Sequence, residues 1–269
     1  MRGLPVCLLL LALGVARPDA GPPAGGSSDS SADASAALLD RFLTRDEEPL
    51  TRYVGTRCLE ATSERFKATG SMQVTVHLSP ERGFEWTVVH EEGSGFVRNK
   101  VLRKTLEGER EMVARGDPGR ALVSRENYEI GRRPPDGHAV DDGVGTLRLQ
   151  ITPRRRDTLL VHGSVLLTDP EAELLEVQGQ LAKSPSWWTT KVQVVRTYGR
   201  VNGVRVPVAM SSTAQVRLAG RSQFRMTNVY EQVNGRPTGR VLPDTYCTTT
   251  TISLPAGPTP PGPMARTRT

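Results

Sequence analysis

Few residues in this chain combine the type and spacing that catalysis needs. It holds four histidines, His77, His90, His138 and His162, and no two lie within three to five residues of each other. The local spacing of a metal site is therefore missing. His77 falls on the polar side of an alternating segment and His90 closes the next one, so both read as surface histidines. A serine nucleophile needs a strained turn from strand to helix. Gly93-Ser94-Gly95 stands at such a passage, but it lacks the flanking pattern, and a helix cap accounts for Ser94. Hydrolysis would require two or more of the histidines to converge with a carboxylate. Arg115-Gly116-Asp117 spells an adhesion tripeptide, yet its glycine and aspartate already serve as the end of one helix and the start of the next. The expectation is a protein without enzymatic activity, metal or cofactor.

Three cysteines occur, Cys7, Cys58 and Cys247. Cys7 lies inside an apolar run from Leu4 to Val15 that follows Met1 and Arg2 and leads to Gly14 and Ala16. This is the charge, apolar core and small-residue order of a secretory signal. Residues 1–20 are read as that signal, and the run is too short to span a bilayer. Cys7 has almost nothing apolar before it, which argues against acylation there. The expected location is exported and periplasmic, soluble after cleavage. Cys58 and Cys247 would then share an oxidising compartment; they either form one bridge across nearly the whole domain or remain two buried thiols. With no histidine nearby, they do not make a zinc site.

Composition sets further bounds. The chain carries 35 Lys and Arg against 29 Asp and Glu, a net charge of +6, with aromatics at 5%. Its basic residues are scattered and mostly arginine, which fits a GC-rich coding sequence better than a nucleic-acid surface. The one run, Arg154 to Arg156 after Pro153, is expected at a hairpin turn, solvated or in contact with anionic lipid headgroups. Residues 21–34 are read as a disordered linker and 255–269 as a disordered Pro-rich tail. Between them, 35–254 is one domain.

The elements that must position any site follow from periodicity. Ala36, Leu38, Leu39, Phe42 and Leu43 share one helical face, capped by Asp33 or Ser35, and Leu50, Tyr53 and Val54 extend that face. The period then becomes two: Met72, Val74, Val76 and Leu78 alternate with polar residues, and after Ser79-Pro80 so do Phe84, Trp86 and Val88. A second helix starts at Ser94 and ends at Gly116, with Val97, Val101, Leu102, Leu106 and Val113 at spacings near three and four. Asp117-Pro118 opens a short third helix through Leu122. Beyond Asn127 the chain reads as strands over 146–151, 158–167, 173–181, 188–200, 204–218, 223–233 and 241–250, joined by turns too short for helical crossovers. These strands must therefore pair antiparallel.

In the longest strand Val204, Val206, Val208, Met210, Ala214, Val216 and Leu218 share one face, and Arg205, Ser211, Thr213 and Arg217 share the other. A sheet of this size curls. The expected fold is mainly β, a curved antiparallel half-barrel of ten or eleven strands covered by an N-terminal helix and two central helices. Its apolar side is either an open cleft or a packed core. Trp187 and Trp188 would point to opposite faces, one inward and the other under a loop or toward a membrane or partner.

The order of elements, with Glu92-Gly-Ser-Gly-Phe96, Val97 to Arg103, Leu181 to Trp188, Val201 to Val208 and Ala214 to Gly220, resembles the LolA/LolB-like periplasmic carrier fold, in particular the LolA-like outer-membrane lipoprotein-sorting proteins. The resemblance covers residues 36–250. It implies a concave apolar face that shelters lipid or lipoprotein acyl chains, with helices as a lid. The implied lining is Met72, Val74, Val76, Phe84, Trp86, Val88, Val206, Val208, Met210 and Phe224, and the implied lid residues are Val97, Val101, Leu102 and Leu106. It also implies an arginine in the cavity, which sequence alone does not assign. The partners expected are acyl chains, with transient contact to membrane or envelope proteins. The alternative is an envelope regulatory or scaffolding module that meets a protein partner through the same fold.

Overall fold

The computed structural model describes residues 28–116, 118–131, 145–185, 189–217, 220–240 and 247. The expected signal, His138, Trp187, Trp188, Leu218, the C-terminal tail and, apart from Cys247, the strand expected over 241–250 lie outside the described residues.

Helix α1 (Ser28–Thr44) opens the described chain, ahead of the expected cap at Asp33 or Ser35 and inside the segment read as linker. Strands β1 (Tyr53–Ser63), β2 (Ala68–Ser79) and β3 (Gly83–Gly93) form an antiparallel meander. A continuous helix follows, made of α2 (Gly95–Val97), a π-helical turn (Arg98–Leu102) and α3 (Arg103–Ala114). Ser94 caps it as expected, its hydroxyl accepting from the Val97 amide. Gly116 stops it in the left-handed region at φ +70°, where a side chain would be strained. The short third helix is a 3-10 turn, Pro118–Ala121.

The second meander holds β4 (Tyr128–Gly131), β5 (Thr146–Pro153), β6 (Val161–Thr168), β7 (Leu174–Leu181), β8 (Thr189–Val201), β9 (Val204–Val216) and β10 (Gly220–Val233), with a short β11 (Arg236–Pro237) beside β10. Antiparallel pairing of β1 with β10 joins both meanders into one open sheet of eleven strands, ordered β3-β2-β1-β10-β9-β8-β7-β6-β5-β4. The mainly β, antiparallel architecture is as expected.

Strand β1 is where periodicity misleads. Read from sequence, Tyr53 and Val54 continue a helical face; in the structure they start a strand of 11 residues. Its inward positions are Tyr53, Gly55, Arg57, Leu59 and Ala61, paired with the inward residues of β2. A glycine and an arginine within that set hide the period of two. Register makes the inward face continuous: Met72, Leu59, Met226, Met210, Arg196, Val177, Val165 and Leu149 lie opposite one another across eight strands. The long alternation expected over 204–218 is broken, because Thr197 faces Ala209 while Tyr198 faces Pro207. Val208 is thus an extra residue in β9, and such a bulge bends a strand.

The helices do not meet over one cavity. Leu38 and Phe42 of α1 join Tyr128, Leu149, Ile151 and Val165 in a core over β4–β7. Val97, Leu102 and Leu106 of the central helix join Leu59, Met72, Val74, Val76 and Phe84 in a separate core. Each of those buried helix side chains contributes about 1.5–3 kcal/mol. Val101, expected on the same face, is instead 36% exposed. The π turn inserts a residue, so the inward positions run Val97, Leu102, Leu106, and Val101 is rotated outward.

Candidate functional site

At the centre of the first core lies a charge. Arg57, on the inward face of β1, has a side chain only 3% exposed. Its Nε donates to Asn228 Oδ1 of β10 at 2.7 Å, and its Nη2 donates to the Tyr53 hydroxyl at 3.2 Å. Both terminal nitrogens reach Glu109 on α3, Nη2 at 3.2 Å from Oε1 and Nη1 on Oε2. The guanidinium also sits over the Phe84 ring, 5.3 Å from its centroid. Burial works against its charge, but Glu109 outweighs that and holds the arginine pKa above its ordinary value.

The surroundings fix this group in place. Asn228 donates to Pro207 O at 2.9 Å, and Tyr230 donates to the same oxygen at 2.7 Å. The Tyr53 and Tyr230 rings meet edge to face at 5.3 Å, and burial pushes both phenols well above their usual range. Two further contacts tie the helix to the sheet. Glu91, near the end of β3, pairs with Arg98 and with Arg103 at 2.7 Å, and Arg110 lies 4.8 Å over Trp86. The helix is thus held by an apolar face and by charged contacts to two strands, β1 and β3.

Most residues expected to line a cleft come together here. Met72, Val74, Val76, Phe84 and Val206 are buried in this core, with Trp86, Val88, Val208 and Phe224 packed against it. Met210 is half-buried and lies outside the core, further along the inward face. Val97, Leu102 and Leu106 face the lining as expected. The residues fill the space between sheet and helix, so in this conformation the apolar side is a packed core. Two grooves with charged side chains in their lining lie at the surface. One of about 790 Å3 runs beside edge strand β3, lined by His77, Arg82, Phe84, Trp86 and Arg110 among others. Another of about 500 Å3 is lined by Arg154, Arg155, Arg156, His162 and Gln180 with neighbouring residues.

Sequence reasoning missed Arg57 because it missed β1. A usable signal existed: Tyr53, Arg57, Leu59 and Ala61 keep a spacing of two or four, with arginine where an apolar residue belongs. The three described histidines stay apart. His90 sits opposite Gln73, four positions along β2 from His77, or about 13 Å at strand rise; its Nε2 is 2.8 Å from Glu92. His162 lies across the sheet on β6. Among the described residues, no three His, Cys, Asp or Glu cluster as metal ligands.

Cys58 and Cys247 form a disulfide, with Cα atoms 5.5 Å apart, and the Cys247 amide donates to Gln73 at 3.2 Å. Among the described residues no helix is long and apolar enough to cross a membrane.

No protein-family profile matches the chain, and no curated protein sequence matches it. Three solved structures resemble it distantly, each at 9% identity. A LolA superfamily protein from Nitrosomonas europaea aligns over 79% of this chain and 96% of its own, with a TM-score of 0.38. A putative outer membrane lipoprotein-sorting protein domain from Vibrio parahaemolyticus aligns over 80% and 95%, at 0.33. A DUF1329 family protein from Desulfovibrio piger aligns over 81% and 96%, at 0.30.

Proposed function

We propose that this chain is a non-enzymatic, exported carrier that shelters a lipid or lipoprotein acyl chain between the inward face of β1–β3, β9 and β10 and the central helix. The observation that carries the reading is Arg57. A core built only for stability gains nothing from a buried ion pair, which apolar residues of similar size usually match or better. Such a pair suits an interface that opens, because water can solvate both charges once the helix lifts.

The energies are of the right size. Lifting the helix uncovers Val97, Leu102 and Leu106, about 5–9 kcal/mol of burial by side-chain values. An acyl chain of sixteen carbons, at about 0.8 kcal/mol for each methylene buried, offsets that. The packed lining is then the closed form, and Val101 stays outside it. The LolA-like resemblance in the sequence implies the same role and a periplasmic location.

The test is to purify the protein from an envelope-containing bacterial host and analyse bound lipid by mass spectrometry, with a fluorescent fatty acid as a second probe. Bound acyl lipid, and a probe signal that rises in Glu109→Ala, are expected. Absence of both lipid and probe binding, in wild type and Glu109→Ala alike, refutes the carrier reading.

A further inference from the structure

The sheet has two unlike ends. Ser63 is paired with both Ala68 and Ser222, Gly70 faces Gly93, Val216 faces both Thr189 and Gly220, and Val161 faces Leu181. The β1–β2, β5–β6, β7–β8 and β9–β10 connections and the start of the central helix therefore share one end. The opposite end gathers the segment before β1 and the β2–β3, β6–β7 and β8–β9 turns.

Charge is balanced at that opposite end. Arg45 and Arg200 pair with Glu173, Arg205 with Glu47, Arg236 with Glu48 and Arg52 with Glu81. The first end differs. Arg65, Lys67, Arg156, Lys183 and Arg217 are exposed there, and among the described residues none has an acidic partner. Of its acids, Glu64 pairs with Arg221 at 3.8 Å, Asp157 with Arg120 and Arg155 at 2.7 and 3.5 Å, and Glu92 with His90 at 2.8 Å, while Glu126, before β4, is exposed against these five bases. Two aromatic side chains stand out among these bases, Phe66 at 55% and Phe96 at 63% exposed.

From this asymmetry we infer that the end carrying Phe66 and Phe96 docks on an anionic bilayer surface, with the two rings at the interface and the unpaired bases over lipid headgroups. The bases span the connections from β1–β2 to β5–β6. That is five strand spacings, about 24 Å along the sheet, a width that a flat anionic surface meets at once. Exposed aromatic and aliphatic groups beside Lys and Arg are the chemistry of interfacial binding. The inference needs no bound cargo and stands apart from the acyl-chain reading.

The test uses residues 21–269, which contain every described residue, in co-sedimentation with vesicles of phosphatidylcholine alone or mixed with phosphatidylglycerol. Binding is expected only to the mixed vesicles and weakens as salt is raised. Each base removed costs about fivefold in affinity, equivalent to about 1 kcal/mol, so Arg65→Gln with Lys67→Gln loses roughly 25-fold. Phe66→Ser with Phe96→Ser weakens binding at low and high salt alike. Arg52→Gln with Arg236→Gln, at the other end, leaves affinity unchanged. All variants lie at the surface, and circular dichroism checks that they fold. No binding to mixed vesicles at low salt, equal binding to both compositions, full affinity in the phenylalanine pair, or equal loss at the control end each overturns the inference. Capture of an acidic protein without vesicle binding does so too.

Discussion

Replacing Glu109 with alanine strands Arg57 without its charged partner, and the two halves of this pair are not equivalent. The Arg57 side chain is 3% exposed and that of Glu109 25%. Without Glu109, the guanidinium keeps only Asn228 and Tyr53 as hydrogen-bond partners, and an uncompensated buried charge costs about 3–5 kcal/mol. Arg57→Met leaves a carboxylate that water already reaches, so its cost is mainly lost hydrogen bonding, about 1–2 kcal/mol. The apolar contacts of Val97, Leu102 and Leu106 still favour closure by roughly 5–9 kcal/mol. Glu109→Ala should therefore stay folded and mostly closed, with its open population raised about 100-fold or more. Two measurements read this out. Urea unfolding gives the two costs, and hydrogen exchange by mass spectrometry gives opening of α3 relative to α1. Equal costs for Glu109→Ala and Arg57→Met, or exchange in α3 that rises no more than in α1, refute the idea that this pair holds the helix down.

A wedge offers an independent route to the same motion. A Cβ at Gly70 would stand 3.0 Å from Val97 Cγ1 and 3.1 Å from its Cβ, so Gly70→Val should cost about 1–3 kcal/mol in unfolding experiments and raise fatty-acid probe binding; unchanged stability would count against the close approach. The disulfide closes a separation of 189 residues, so Cys247→Ser should lower stability by about 2–5 kcal/mol, measured as a fall in the urea midpoint that reductant reproduces in the wild type. Burial pushes the Glu173 carboxyl up, but hydrogen bonds and charge from Arg200 and Arg45 outweigh it and hold its pKa below the ordinary 4.5. With the folded value below the unfolded one, this contribution is complete above about pH 4.5 and is lost as pH falls through the depressed value. Glu173→Gln should flatten the acid limb of the stability profile, and an unchanged slope there would show that the cluster does not couple to folding.

The alternating segments around Met72 to Val76, Phe84 to Val88 and Val204 to Met210 made the strands of an antiparallel meander legible in the sequence. So did the turn chemistry between them, Ser94 as a cap and Gly116 as a stop, because each is a local choice of backbone geometry. Three things were not legible. Strand β1 was hidden because its inward positions include Gly55 and Arg57, whose environment comes from β2, β10 and α3. Val101 left the helix face because a π turn, stabilised by the packing of Val97 and Leu102, shifts register by one residue. The joining of the two meanders through β1 and β10 pairs Tyr53 with Val233, a pairing that no local pattern encodes. Periodicity reports what one segment prefers; whether an arginine can lie buried within it depends on an asparagine, a tyrosine and a glutamate from elsewhere in the chain. Sequence determined most of the strand segments and which side of them would be apolar. Only the tertiary structure decided that a charge sits under the helix, that the cleft is packed shut, and that five basic residues at one end of the sheet have no acidic partner among the described residues.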